Sequence, residues 1–280
     1  MPLEYAVLNG FNVAYHTAGK PQNPTMLLIH GYISSYHVWR FMITRLQERF
    51  YCISIDLMGH GNTDKPDDPT PYTILKQAEL CLKLLDTLGR TGEFSVMGHS
   101  MGGQIALCLA SQVAPQRIKK LVNVAGVVAP RLSPSTEKTL PAWIDLSYRL
   151  PILLDLLRPL MRRVPRVAKM YYGDWFYDYK DMPFIVWRID RDMATLPNIQ
   201  FAFKHGWDAI HGYDVTPHLK DITASVLTIF GEFDAVALIE DGFTVKKHLP
   251  ESTLEIIPEC GHFPMFEWRE IFEDKVMAWL

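Results

Sequence analysis

Val96-Met97-Gly98-His99-Ser100-Met101-Gly102-Gly103-Gln104 is the stretch that decides the fold. An apolar lead, FSVM (94–97), runs into the polar GHSMGG and out again into QIALCLA (104–110). The lead reads as a buried strand and the exit as a helix. A chain that turns from strand to helix so sharply folds back close on itself, so the residues around the turn must be small. Such a turn lifts the hydroxyl of Ser100 clear of the sheet edge. It also places that hydroxyl at a helix N-terminus, where free N–H groups favour developing negative charge.

The flanking sequence supplies the sheet. Residues 4–8 and 11–17 surround Asn9-Gly10, a two-residue hairpin signal. MLLI (26–29) and YCISI (51–55) are short apolar runs of the kind a sheet covered on both faces requires. A helix is expected from about Tyr36, capped by Ser34 or Ser35, and a second over 73–88 with Gly89 as its stop. Further strands fall at 94–97, 121–124, 226–230 and 253–257, with helices at 101–110, 239–249 and from Trp268. Strand alternating with helix predicts a mostly parallel sheet with helices on both faces. The alternation lapses over 131–216, which is rich in Pro, Arg and aromatic residues. That span is expected to be a helical insert in a core made of 1–130 and 217–280.

Composition narrows the function. The chain has 280 residues and a formal net charge of −3, which gives no electrostatic case for nucleic-acid binding. It contains no apolar run of bilayer length, and its first residues lack the pattern of a secretory signal. Cys52, Cys81, Cys108 and Cys260 are scattered without a CxxC pair, so reduced thiols in a cytoplasmic setting are expected.

A raised serine needs an imidazole to take its proton and a carboxylate to orient that imidazole. A doubly wound sheet predicts the order Ser, acid, His, each at the C-terminal end of a strand. The strand at 226–230 leads into Gly231-Glu232-Phe233-Asp234, and the strand at 253–257 into Pro258-Glu259-Cys260-Gly261-His262. Asp234 is the acid best placed, with Glu232 and Asp241 as competitors.

With these motifs the chain resembles the α/β-hydrolase fold family, in particular its cap-bearing esterases and C–C bond hydrolases. The resemblance rests on His30-Gly31, Asp56-Leu57-Met58-Gly59-His60-Gly61, the GHSMGG turn, Gly231-Glu232-Phe233-Asp234 and Cys260-Gly261-His262-Phe263-Pro264. Met58 and Thr63 stand where the family often has arginine and serine. The resemblance implies an eight-stranded, mostly parallel α/β sheet with a helical cap inserted after the sixth strand. It implies Ser100 as nucleophile, His262 as base and then acid, and Asp234 as orienting acid. The backbone N–H groups of Tyr32 and Met101 would form the oxyanion hole, and no cofactor or metal is needed. Relatives that are dehalogenases or epoxide hydrolases carry aspartate at the position of Ser100, so serine argues against both.

The expected activity is hydrolysis of a carboxylic ester of a small to medium apolar substrate. Alternatives are C–C bond cleavage of a diketone or ring-cleavage product, a perhydrolase-like activity, and a small-molecule receptor. His30 and His60 read as loop organisers. His99 reads as packing, with substrate contact the sharper alternative. His205, His211 and His218 do not share a helical face and make a poor metal site. Arg158, Arg162, Arg166 and Lys169 recur at near-helical spacing, though Pro159 and Pro165 interrupt it. They form a solvated face, or one that meets a membrane surface or an anionic substrate. Trp175, Phe176 and Tyr177 pack within the insert or close the cleft.

Overall fold

The structure, a computed structural model, describes residues 2–150, 175–178 and 196–280. Eight strands form one sheet: β1 (Glu4–Leu8), β2 (Phe11–Ala18), β3 (Thr25–Ile29), β4 (Tyr51–Ile55), β5 (Phe94–His99), β6 (Ile118–Val124), β7 (Ser225–Gly231) and β8 (Thr253–Ile257). Their order across the sheet is β1-β2-β4-β3-β5-β6-β7-β8. The first two pairings are antiparallel, and every other pairing is parallel. The hairpin between β1 and β2 turns through Asn9 and Gly10, both at positive φ, as its sequence requires.

Burial explains the apolar runs. Every residue of β3 and β5 is buried. Alternate side chains of β3 serve opposite faces: Leu27 and Ile29 join one apolar cluster, Met26 and Leu28 the other. The first cluster is closed by the helices Ile74–Thr87 and Met101–Cys108, the second by Met42–Leu46 and Arg269–Trp279. Burying one such leucine contributes about 2 kcal/mol. The four cysteines are free and buried within this core, and burial raises their thiol pKa values.

The helix expected from Tyr36 is two short pieces, a 3-10 turn Tyr36–Trp39 and the helix Met42–Leu46. Tyr36, Val38 and Trp39 are all buried, so tertiary packing rather than helical periodicity places them. The helix after Ser100 also runs further than expected. It continues as a π-turn over Leu109–Val113, where the Ser111 hydroxyl donates back to Leu107 O at 2.8 Å.

Parallel pairing aligns the strand ends. Ile29 lies opposite Gly98, Val124 opposite Ile229, and Gly231 opposite Ile257. The loops that begin at His30, Ser100, Glu232 and Pro258 therefore emerge along one edge, where a doubly wound sheet binds its ligands. The long connection between β6 and β7 returns over that edge. Its described parts include the helices Pro134–Arg149 and Ile199–His211 and no strand. Arg158, Pro159, Arg162, Pro165, Arg166 and Lys169 lie outside the described residues. Among the described residues no helix is long and apolar enough to cross a membrane.

Candidate active site

Ser100 sits between β5 and the helix Met101–Cys108 with φ 56° and ψ −121°, a conformation that L-residues rarely adopt. The glycines around it are there for space. A Cβ on Gly98 would overlap the carbonyl of Gly102, and one on Gly102 would overlap the carbonyls of Ile29 and His30. A Cβ on Gly31 would lie 2.9 Å from the Ser100 Cβ. Strand, turn and neighbouring loop are thus in backbone contact, and the turn brings Ser100, with His99 beside it, to the cleft.

His262 and Asp234 meet across the ends of β7 and β8. Nδ1 of His262 lies 2.8 and 3.0 Å from the two carboxylate oxygens of Asp234. A carboxylate only accepts, so Nδ1 carries the proton and Nε2 presents its lone pair. Asp234 Oδ1 also accepts the N–H groups of Val236 (2.8 Å) and Ala237 (3.0 Å), which fix the carboxylate from behind. The competing acids are engaged elsewhere: Glu232 accepts from Glu259 N, and Asp241 from Val128 N. Ser100 and His262 line one cleft together with Tyr32, Trp175, Val236 and Phe263. No Lys, Arg, Asp or Glu lines it among the described residues.

Tyr32, in the loop after β3, lines the cleft with Ser100, and Met101 follows Ser100 in the chain. Met101 opens its helix, where N–H groups have no acceptor one turn back. The peptide of Tyr32 is set by His30. Leu57 N–H donates to His30 Nε2 at 3.0 Å, so the His30 proton is on Nδ1, which donates to Gly31 O at 2.7 Å. Carbonyl and N–H point opposite ways across a trans peptide. Holding Gly31 O toward His30 therefore turns the Tyr32 N–H away from it. Burial keeps the His30 pKa well below the usual histidine range, in keeping with a neutral ring. Ile33, next in this loop, has φ 51°, a strained position for a β-branched residue.

The remaining loop residues also have structural partners. Asp56 accepts from Tyr36 N (2.7 Å) and Asn62 N (2.8 Å), and burial pushes its pKa up to about 6. Thr63, in the serine position of the family, gives its hydroxyl to Asp56 O and accepts from Ala14 N. His60 contacts Met58 O through Nδ1 and is held near pKa 4 by burial. His99 Nε2 lies 2.9 Å from the carbonyl of His262, so this buried ring bonds the loop of His262 while it also lines the cleft. His205 and His211 contact Asp67 and Glu137, and among the described residues no cluster of donors could hold a metal ion.

Several contacts had no signal in the sequence. The N–H of His262 itself donates to Trp175 O at 2.7 Å. Glu267 accepts three backbone N–H groups, from Tyr177 (2.7 Å), Gly261 (2.9 Å) and Phe263 (3.1 Å). Burial raises its pKa while those donors, and the nearby His262, pull it back. Ser133 and Thr136 give their hydroxyls to Ala235 O, beside Asp234. The Tyr32 hydroxyl donates to Phe203 O at 2.5 Å. Of the aromatic trio, Trp175 lines the cleft, Phe176 is buried with its ring 5.0 Å from Phe263, and Tyr177 is exposed against Phe233.

The profile of the alpha/beta hydrolase fold matches residues 24–267. The chain belongs to the α/β-hydrolase fold family. Its relatives include the pimeloyl-[acyl-carrier protein] methyl ester esterase of Nitrosomonas europaea, 24% identical over 92% of this chain and 96% of that one. The 3-oxoadipate enol-lactonase 2 of Acinetobacter baylyi is 26% identical, covering 94% of this chain and 91% of that protein. Among solved structures, a bacterial membrane phospholipase A superposes with a TM-score of 0.80 at 24% identity, over 99% of this chain and 84% of the other. The chain is thus a hydrolase-family protein on the eight-stranded sheet described above.

Proposed function

We propose that this protein is a serine hydrolase that cleaves a carboxylic ester of a small to medium apolar substrate beneath a helical cap formed by residues 131–216. Ser100 is the nucleophile, His262 the base and Asp234 the orienting acid. The observation that carries this reading is the bond from His262 Nδ1 to Asp234 beside a serine held at φ 56°. Nε2 takes the proton as Ser100 Oγ attacks the carbonyl carbon. The N–H groups of Tyr32 and Met101 hold the resulting oxyanion. Loss of one such donor typically costs about 100- to 1000-fold in rate. The alkoxide leaves with the proton from His262. Water, deprotonated by the same ring, then attacks the acyl-enzyme and releases the acid.

The described residues that line the cleft are mostly apolar and include no Lys, Arg, Asp or Glu, which supports an uncharged, apolar ester as substrate. Two of the relatives are an esterase and a lactonase by name, and a lactone is a cyclic ester. Four buried free thiols suit a reducing, cytoplasmic setting.

Hydrolysis of p-nitrophenyl esters of increasing acyl length, by wild type and Ser100→Ala, tests the reading. The expected result is a length optimum in the wild type and a rate lowered about a millionfold in Ser100→Ala with the fold retained. A Ser100→Ala protein that keeps most of its turnover would sink the mechanism.

A further inference from the structure

Three successive backbone N–H groups, those of Gly261, His262 and Phe263, lie in a loop where no strand can pair them. All three are nonetheless satisfied. Gly261 and Phe263 donate to the carboxylate of Glu267, and His262 donates to Trp175 O. The same carboxylate accepts Tyr177 N, two residues beyond Trp175 in the β6–β7 connection. The two segments touch closely: a Cβ on Gly261 would come within 2.6 Å of Trp175 O and 2.8 Å of Tyr177 N. Fixing the peptides on both sides of His262 fixes its Cα–Cβ direction, and hence where its imidazole stands. An ionised acceptor makes each of these bonds stronger than a neutral one would be.

We infer that Glu267 is a positioning residue that sets the catalytic histidine by clamping its loop and the segment Trp175–Tyr177 onto one carboxylate. This rests on the proposed role of His262. Glu267 touches no reacting atom and lies outside the cleft lining. Its effect is carried by backbone, so it couples the seating of the connection to the aim of the base. With Trp175–Tyr177 in this position all three N–H groups around His262 have acceptors, one of them from the connection itself.

The test compares wild type with Glu267→Gln, which keeps shape and one acceptor oxygen but turns an NH2 toward the backbone donors. Labelling of Ser100 by a fluorophosphonate reads the aim of the base without knowing the substrate. The expected result is labelling slowed about tenfold or more, part of the ~100- to 10,000-fold that a positioned base contributes. On p-nitrophenyl butyrate, kcat should fall more than KM rises. The low-field proton resonance of His262 Nδ1–H should broaden or shift. Equal labelling rates with an unchanged resonance would overturn the inference while leaving the hydrolase reading in place. Failure of the wild type itself to label at Ser100 would overturn the hydrolase reading, and the Nδ1–H resonance would still decide the role of Glu267. If Glu267→Gln does not fold, Glu267→Asp, one methylene shorter, is judged by the same criteria.

Discussion

The sheet and the β6–β7 connection are held in different ways. The sheet is fixed by ladders and by apolar side chains that reach both faces, as Leu27 and Leu28 do from one strand. The described parts of the connection also pack through apolar side chains, with Ile144, Ile199 and Phe203 against Ile33 and Phe176 against Phe263, but they add polar contacts to the backbone of the candidate-site loops. Ser133 and Thr136 fasten its start to the loop of Asp234, and Trp175 and Tyr177 meet the loop of His262. Phe203 meets Tyr32, and Gln104, on the helix after Ser100, gives its amide to Ile210 O (3.2 Å) and Tyr213 O (2.8 Å). The core therefore builds the loops, and the connection grips each of them. Stability resides mainly in the first region, and the aim of the reacting groups depends on both.

The largest effect that tests this division is at Asp234. Asp234→Asn keeps the loop but turns an NH2 toward the ring or toward the N–H groups of Val236 and Ala237. The rate should fall about 10,000-fold with little change in melting temperature. A rate within tenfold of wild type would remove Asp234 from the machinery. In the core, Gly98→Ala should cost about 3 kcal/mol, because its methyl overlaps the Gly102 carbonyl. Urea denaturation measures it, and an unchanged midpoint would show that the turn has slack.

Acid should attack the core first. Desolvation lowers the pKa values of His16, His30, His37, His60 and His99; His16 and His99 lie on core strands, and the others in loops and turns around them. For these groups the unfolded chain binds more protons below about pH 6.5, so their contribution is full above that value and is lost as pH falls toward 4. His60 alone, held near 4, accounts for about 3 kcal/mol. Asp56 and Asp241, raised by burial to about 6, act in the opposite sense: their contribution is full at low pH and is lost as pH rises through about 6, and Glu267 is shifted in the same direction. Between pH 7 and pH 5 His37 and His60, held near 4, lose more than Asp56 and Asp241, held near 6, gain, and His16, His30 and His99 are shifted the same way as the other rings, so the urea midpoint should drop. A midpoint that holds or rises would contradict the buried, neutral state of these rings.

The smallest expected effect is on the connection. Tyr32→Phe removes one bond to Phe203 O, worth about 1 kcal/mol. KM should rise more than kcat falls, because the backbone N–H of residue 32 is retained. Unchanged KM and stability would mean the helix Ile199–His211 does not depend on this loop.

The same division governs what could be read from sequence. The strand MLLI announces itself because burial on both faces demands an unbroken apolar run, and YCISI nearly does so, its Ser54 being buried as well. The turn at Ser100 is legible because its glycines answer to backbone overlap. Asp234 and His262 follow from strand ends, since parallel pairing fixes which loops are neighbours. The grip of the connection is not legible. Trp175 contributes a carbonyl, which every residue has, and Ser133 meets Ala235 across 102 positions. Glu267, five residues past His262, looks like any helix-end carboxylate until its three donors are seen. The 3-10 turn at Tyr36–Trp39 escaped for a related reason: all-round burial overrides period.

The bond from His262 N to Trp175 O bears on exchanging parts between relatives. A connection transplanted from another hydrolase to widen the range of esters accepted would bring its own side chains, and those are usually what is chosen. It would also have to bring a carbonyl to this one place and an N–H to the free lone pair of Glu267. A graft selected for cleft shape alone would leave His262 with an unmatched backbone donor, so its first rounds of optimisation should recover backbone register at 175–177 before any change in selectivity becomes useful.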